Sequence, residues 1–126
     1  MGETITYAGV VVDLDDAEAS LRERDDVADV VAVGVSDNYV GKALQVYVVL
    51  APDATPDNDR RKSLIADVAG RLDGNKPRAL RFVTAIPRRA DGSPAREVVA
   101  AVVMGDDVDA TNVTDPATIE AIRAAR

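Results

Sequence analysis

An α+β fold is predicted for this 126-residue chain by three features of its sequence. The runs VADVVAVGV (27–35) and ALQVYVVL (43–50) are β-branched and of strand length. Apolar residues recur at helical spacing in three other segments, and an alternating stretch broken by glycine opens the chain. The predicted architecture is an N-terminal β-hairpin and a small three-stranded sheet with helices packed against it, plus a short C-terminal helical tail. Residues 1–104 form the expected domain, and residues 105–126 an acidic linker with a short helix that reads as an appendage.

The elements follow in order. ETITYAGVVVDL alternates polar and apolar residues around Gly9, which permits the bend between two short strands. In DLDDAEASLRERDD, Leu14, Ala17 and Leu21 fall three and four apart, and acids crowd the first turn, as a helix N-terminus favours. The two β-branched runs come next, joined by SDNYVGK, and read as antiparallel strands with one well-buried face. After the Pro- and Asp-rich loop APDATPDND, Leu64, Ile65, Val68 and Leu72 make one helical face that Gly74 ends. LRFVTAI is predicted as a third central strand stopped by Pro87. Ser93 then reads as the cap of a helix whose first residue is Pro94, and Asp115 with Pro116 starts a last short helix.

Composition narrows the chemistry. With 22 acidic and 15 basic residues the net charge is −7, which repels a nucleic-acid backbone. The chain has no Cys and no His, so it lacks a thiol nucleophile, an imidazole base and the usual zinc ligands. Only Lys42, Lys62 and Lys76 are lysines, leaving lysine chemistry few places to act. No apolar run is long enough to span a membrane and no signal-peptide pattern opens the chain, so a cytoplasmic protein is expected. Asp13, Asp15, Asp16 and Glu18 are explained as acids favoured by a helix N-terminus, and no metal is expected.

IPRRADGSPAREVV (86–99) gathers the candidate site residues. Arg88 and Arg89 have planar forks suited to a phosphate, and equally suit solvated loop charges. Ser93 as a nucleophile would need Asp91 or Glu97 as its base, whereas as a helix cap it needs neither. On the cap reading, Ser93→Lys costs on the order of 1 to 2 kcal/mol.

Together, these segments resemble the C-terminal domain of the adenylate-forming enzymes, the acyl-CoA ligases and adenylation domains, over about residues 3 to 104. DDVADVVAVGVSDNYVGKALQVYVVL is similar to the family's hPxVxxaaVvGvpDxxxGexxxAfVVl, with Val27, Val33, Gly34, Asp37 and Gly41 in step. RLDGNKPRALRFVTAIPRRADGSP resembles LxxYKxPrxixFVdelPkTxxGKi, with Lys76, Pro77, Phe82, Val83, Pro87 and Gly92 in place and one residue missing before Pro77.

The resemblance implies a catalytic lysine after the last motif glycine, and that position is Ser93. A short neutral hydroxyl cannot replace an ammonium that steadies developing phosphate charge. The large domain with the phosphate loop is likewise absent from this sequence, so neither ATP, CoA nor acyl-adenylate is expected to bind this chain alone, but only together with a partner. The family hairpin faces the pantetheine tunnel in the thioester-forming state, which makes Gly9 and Val11 candidate contacts. Lys76 is expected to seat the loop and Lys42 to be exposed, and Arg88, Arg89, Asp91, Gly92 and Ser93 complete the candidate ligand or partner surface.

The leading expectation is a non-catalytic accessory subunit, starting near the family's interdomain hinge as a discrete protein. It would act in trans with an adenylate-forming large domain, an acyl-carrier or a CoA-dependent enzyme. The alternatives are a recruited ATP- and CoA-independent small-molecule enzyme or binding protein with a shallow site framed by PRRADGS and the hairpin, and a homodimeric scaffold.

Overall fold

The computed structural model describes residues 3–37 and 41–125; residues 38–40, the middle of the predicted SDNYVGK loop, lie outside the described residues. The hairpin is β1 (Thr4–Tyr7) and β2 (Val10–Asp13), paired antiparallel from Thr4 opposite Asp13 to Tyr7 opposite Val10. Its two-residue turn needs positive φ twice, and Ala8 (φ 52) and Gly9 (φ 82) supply it. Asp13 then caps α1 (Leu14–Arg22) by accepting the Asp16 N–H at 3.2 Å.

Strands β3 (Val27–Asp37) and β4 (Gly41–Leu50) pair antiparallel, with Val30 opposite Val48 and Ala32 opposite Val46. The hairpin joins them where Tyr7 meets Gly41. Helix α2 (Asn58–Arg71) is capped by Asp57, which accepts the Arg60 N–H at 2.8 Å, and leads to β5 (Ala79–Phe82). The expected third strand forms, but it is short and pairs with β4 alone. Only four residues of LRFVTAI and its flank are strand, they run parallel to β4, and β5 shares with β1 the edge of β4 opposite β3. The sheet is therefore mixed and five-stranded, with β4 at its centre.

Both faces of this sheet are buried, not one. Val30, Ala32, Leu44, Val46, Val48, Leu80 and Phe82 pack with Leu14, Ala17 and Leu21 of α1 and Leu64 and Val68 of α2. On the other face Val31, Val33, Val35 and Tyr47 pack with Val99 of α3 (Arg96–Met104) and Ile122 of α4 (Ala117–Arg123). Two-sided burial is why the strands read as nearly continuous valine and not as alternating residues. Gly34 belongs to the same logic: a Cβ there would lie 2.5 Å from Ile5 Cγ2, so a larger residue would force the Ile5 side chain of β1 to shift.

The tail is not an appendage. Val113, Ile119 and Ile122 are buried, the first two against Ala95 and Val98 of the α3 region, so residues after Gly105 complete the second core. Elsewhere, Arg24 bridges Asp26 (2.9 Å) and Asp67 (2.7 Å), and Arg60 meets Asp26 at 3.0 Å, tying α2 to the start of β3. Hydrogen bonds, first from Arg24 and then from Arg60, lower the Asp26 pKa to about 2 despite the opposing cost of burial. Among the described residues no helix is long and apolar enough to cross a membrane.

Candidate functional site

The segment between β5 and α3 folds into a closed turn. Ala95 N–H donates to the Pro87 carbonyl at 2.9 Å, Arg89 N–H to Ser93 O at 2.9 Å, and Gly92 N–H to Arg89 O at 2.9 Å, while Arg88 bridges Pro94. Gly92 takes φ 86 at the bend, a conformation that favours glycine.

Ser93 is not a helix cap. Helix α3 begins at Arg96, its flanking residue is Ala95, and no side chain caps it. Both Ser93 groups instead turn back to Asp91: the backbone N–H donates to Asp91 Oδ1 at 2.9 Å and the hydroxyl donates to the same atom at 2.6 Å. This is an Asx turn, in which an aspartate satisfies the backbone two residues on. The Ser-Pro pair mimics a helix start because Ser also favours turns, and here Asp91 captures it first.

The site residues divide accordingly. Asp91 and Ser93 meet, and the hydroxyl bond, followed by the amide bond, lowers the Asp91 pKa, which makes it a weaker base. Glu97, the other candidate base, is bound instead by Arg89, and that bond is the main cause of its lowered pKa. Arg88 pairs with Asp29 of β3 and donates to the Gly92 carbonyl at 2.7 Å. Both arginine forks are thus engaged within the chain.

Lys76 contributes through its backbone, whose carbonyl accepts the Tyr7 hydroxyl at 3.0 Å and links the hairpin to the loop before β5. The Lys76 and Lys42 side chains are exposed. Gly9 lies at the exposed hairpin turn, and Val10 and Val11 on the outer strand are exposed, Val11 by 71%. The structure also provides a shallow cleft of about 480 Å³ beside Arg89, Ala90 and Asp91. Its other wall is Thr111–Thr114 of the tail, and not the hairpin that was expected to frame it.

Sequence reasoning missed the group that fixes α3 behind this loop. Glu18 is fully buried, accepts the Ala32 N–H at 2.8 Å, and pairs with Arg22 at 2.9 Å and Arg96 at 2.8 Å; Arg96 also meets Asp15 at 2.7 Å. The Glu18–Arg96 pair joins the helical layers from opposite faces of the sheet. Burial works against the charge of Arg96, and the carboxylates of Asp15 and Glu18 more than offset it, leaving its pKa raised. Placing Glu18 with the first-turn acids concealed its position in the buried stripe Leu14, Ala17, Glu18, Leu21, which was the available signal.

Comparison with known proteins now assigns this arrangement. Residues 16–93 match the AMP-binding enzyme C-terminal domain family. The chain belongs to that family. It is 26% identical over 124 residues to 3-hydroxypropionyl-coenzyme A synthetase of Metallosphaera sedula, covering 98% of this chain and 19% of that protein. With propionate--CoA ligase of Escherichia coli it shares 30% identity over 131 residues, covering 98% of this chain and 21% of that protein. Thus it spans only about a fifth of the length of these relatives.

The crystal structure of a Brucella canis acyl-CoA synthetase has the same fold, with a TM-score of 0.75 and 24% identity over 82% of this chain and 19% of that one. The amide bond synthetase McbA from Marinactinospora thermotolerans aligns at a TM-score of 0.65 and 33% identity over 75% of this chain and 19% of that one. These likenesses carry the predicted family and fold.

One prediction follows from the corrected role of Ser93. Ser93→Lys removes only the hydroxyl bond, since the backbone N–H still reaches Asp91. It is expected to change the unfolding free energy by no more than about 0.5 kcal/mol, as for a surface substitution outside the core. Urea denaturation of parent and variant checks this, and a loss matching the cap expectation would restore Ser93 to the helix.

Proposed function

We propose that this chain is a C-terminal-domain subunit that works in trans with an adenylate-forming or acyl-transferring partner and has no adenylation chemistry of its own. The observation that carries this reading is the state of the family's lysine position: it holds Ser93, tied to Asp91 and without a cation to offer. Membership of the AMP-binding enzyme C-terminal domain family, with coenzyme A synthetases among the relatives, supports a partner with adenylate-forming chemistry. The exposed Val10 and Val11 beside Gly9 give that partner an apolar strand to cover. In that complex the hairpin would lie toward CoA, whereas the loop would contribute shape and hydrogen bonds.

The cleft between Arg89, Asp91 and Thr111–Thr114 favours the second reading, a small-molecule site independent of ATP and CoA. Its weakness is that Glu97 occupies Arg89 and Ser93 occupies Asp91.

The test combines the chain with the separately purified large domain of an acyl-CoA synthetase. Alone, the chain is expected to give no carboxylate-dependent ATP–pyrophosphate exchange. With the large domain it should form a complex by calorimetry, and Val11→Asp should weaken that complex at least about tenfold by burying an unpaired charge. Exchange by the chain alone, or unchanged affinity in Val11→Asp, would overturn the proposal.

A further inference from the structure

The turn bearing Ser93 is held from outside by the tail. Thr114 donates twice to one acceptor, the Arg88 carbonyl, from its N–H at 2.9 Å and its hydroxyl at 3.2 Å. The adjacent Val113 is buried with Ala95 and Val98, the residues that follow the turn into α3. Arg88 is therefore fixed at both ends, its carbonyl by the tail and its guanidinium by Asp29 and Gly92.

These contacts span 26 residues of sequence, from 88 to 114. We propose that the segment around Val113 and Thr114 is a strap that sets the conformation of the Ser93 turn, and that releasing it frees the turn while the sheet stays folded.

The physical basis is unequal local stability. The turn closes on itself through Arg89, Gly92 and Ser93, but these bonds lie in an exposed loop, where short-range bonds alone protect weakly. The strap adds a long-range anchor at Arg88 and apolar cover at Val113. Strands β3 and β4, in contrast, are secured by pairing along their length and by burial on both faces. Loss of the strap should consequently open the turn without opening the sheet. This inference concerns the isolated chain and stands whether or not the proposed partner is correct.

The test is amide hydrogen exchange on the full chain carrying Val113→Ala and Thr114→Ala, with Thr118→Ala as the control. The Thr118 hydroxyl donates to the Asp115 carbonyl within the tail. The double variant should speed exchange at Arg89, Gly92 and Ala95 by at least about tenfold, the combined effect of losing the Thr114 hydroxyl bond and the apolar cover of Val113. Followed across sub-denaturing urea, the turn amides should keep a small urea slope that marks a local opening, while Val31 and Val46 should speed up by no more than the global stability loss allows and keep the steep slope of whole-domain unfolding; the control should leave the turn unchanged. Unaltered exchange in the turn, or a turn opening with the same urea slope as the sheet, would overturn the strap. A Thr114→Val variant, which removes only the hydroxyl, should give a smaller change at the same amides; no change there would overturn the contribution of that second bond.

Discussion

Glu18→Ala is expected to lower the unfolding free energy by about 3–5 kcal/mol, the cost of breaking a buried ion pair from one side. Glu18 has no exposed surface, so each partner it leaves is deprived of an acceptor that water cannot readily replace. The Ala32 N–H loses its acceptor at 2.8 Å, and Arg96, only 15% exposed at its side chain, loses one of two carboxylates. Arg22 suffers least because its side chain is half exposed.

Glu18→Gln should cost less, since its amide oxygen can still accept from Ala32. Urea unfolding of both variants provides the measurement. A loss below about 1 kcal/mol for Glu18→Ala would place the pair among surface bridges of little worth.

The legible part of this fold was the part written in period and composition. The β3 and β4 valines, the Leu64–Val68–Leu72 stripe and the glycine of the hairpin each state a local preference that the tertiary structure obeys. What escaped was determined between distant segments. The parallel placement of β5 leaves no mark within ALRF, and the pairing of Glu18 with Arg96 joins residues 78 apart. The valine runs did contain the missing fact of two-sided burial, but their lack of alternation has to be weighed as heavily as their β-branching.

At the candidate site, the sequence located the turn and its Ser-for-Lys position but misassigned the bonds. Ser93 had two plausible local acceptor schemes, helix capping and an Asx turn, and short-range propensity favours both. Arg88 and Arg89 likewise look available for a ligand until Asp29 and Glu97 are brought to them by folding. The sequence could not distinguish a solvated cation from a paired one because Asp29 lies 59 residues from Arg88.

Truncation after Gly105 is expected to cost more than the roughly 2–5 kcal/mol typical of deleting one buried isoleucine side chain. The acidic segment 106–115 suggests a dispensable tail, but its burial pattern reverses that expectation. Removing the tail strips Ile122 from Val31, Val33, Tyr47 and Val99, and removes Val113 and Ile119 from Ala95 and Val98. The exposed face includes Tyr47, which is only 2% accessible in the intact fold, so the loss falls on central β4 as well as on α3.

Ile122→Ala in the full chain supplies the point-variant comparison and should cost about 2–5 kcal/mol. Equilibrium urea unfolding should therefore rank parent, Ile122→Ala and truncated chain in descending stability, with the last prone to self-association through its uncovered valines. A truncated chain that melts cooperatively within a few degrees of the parent would mean that α3 and the sheet bury this second core without α4.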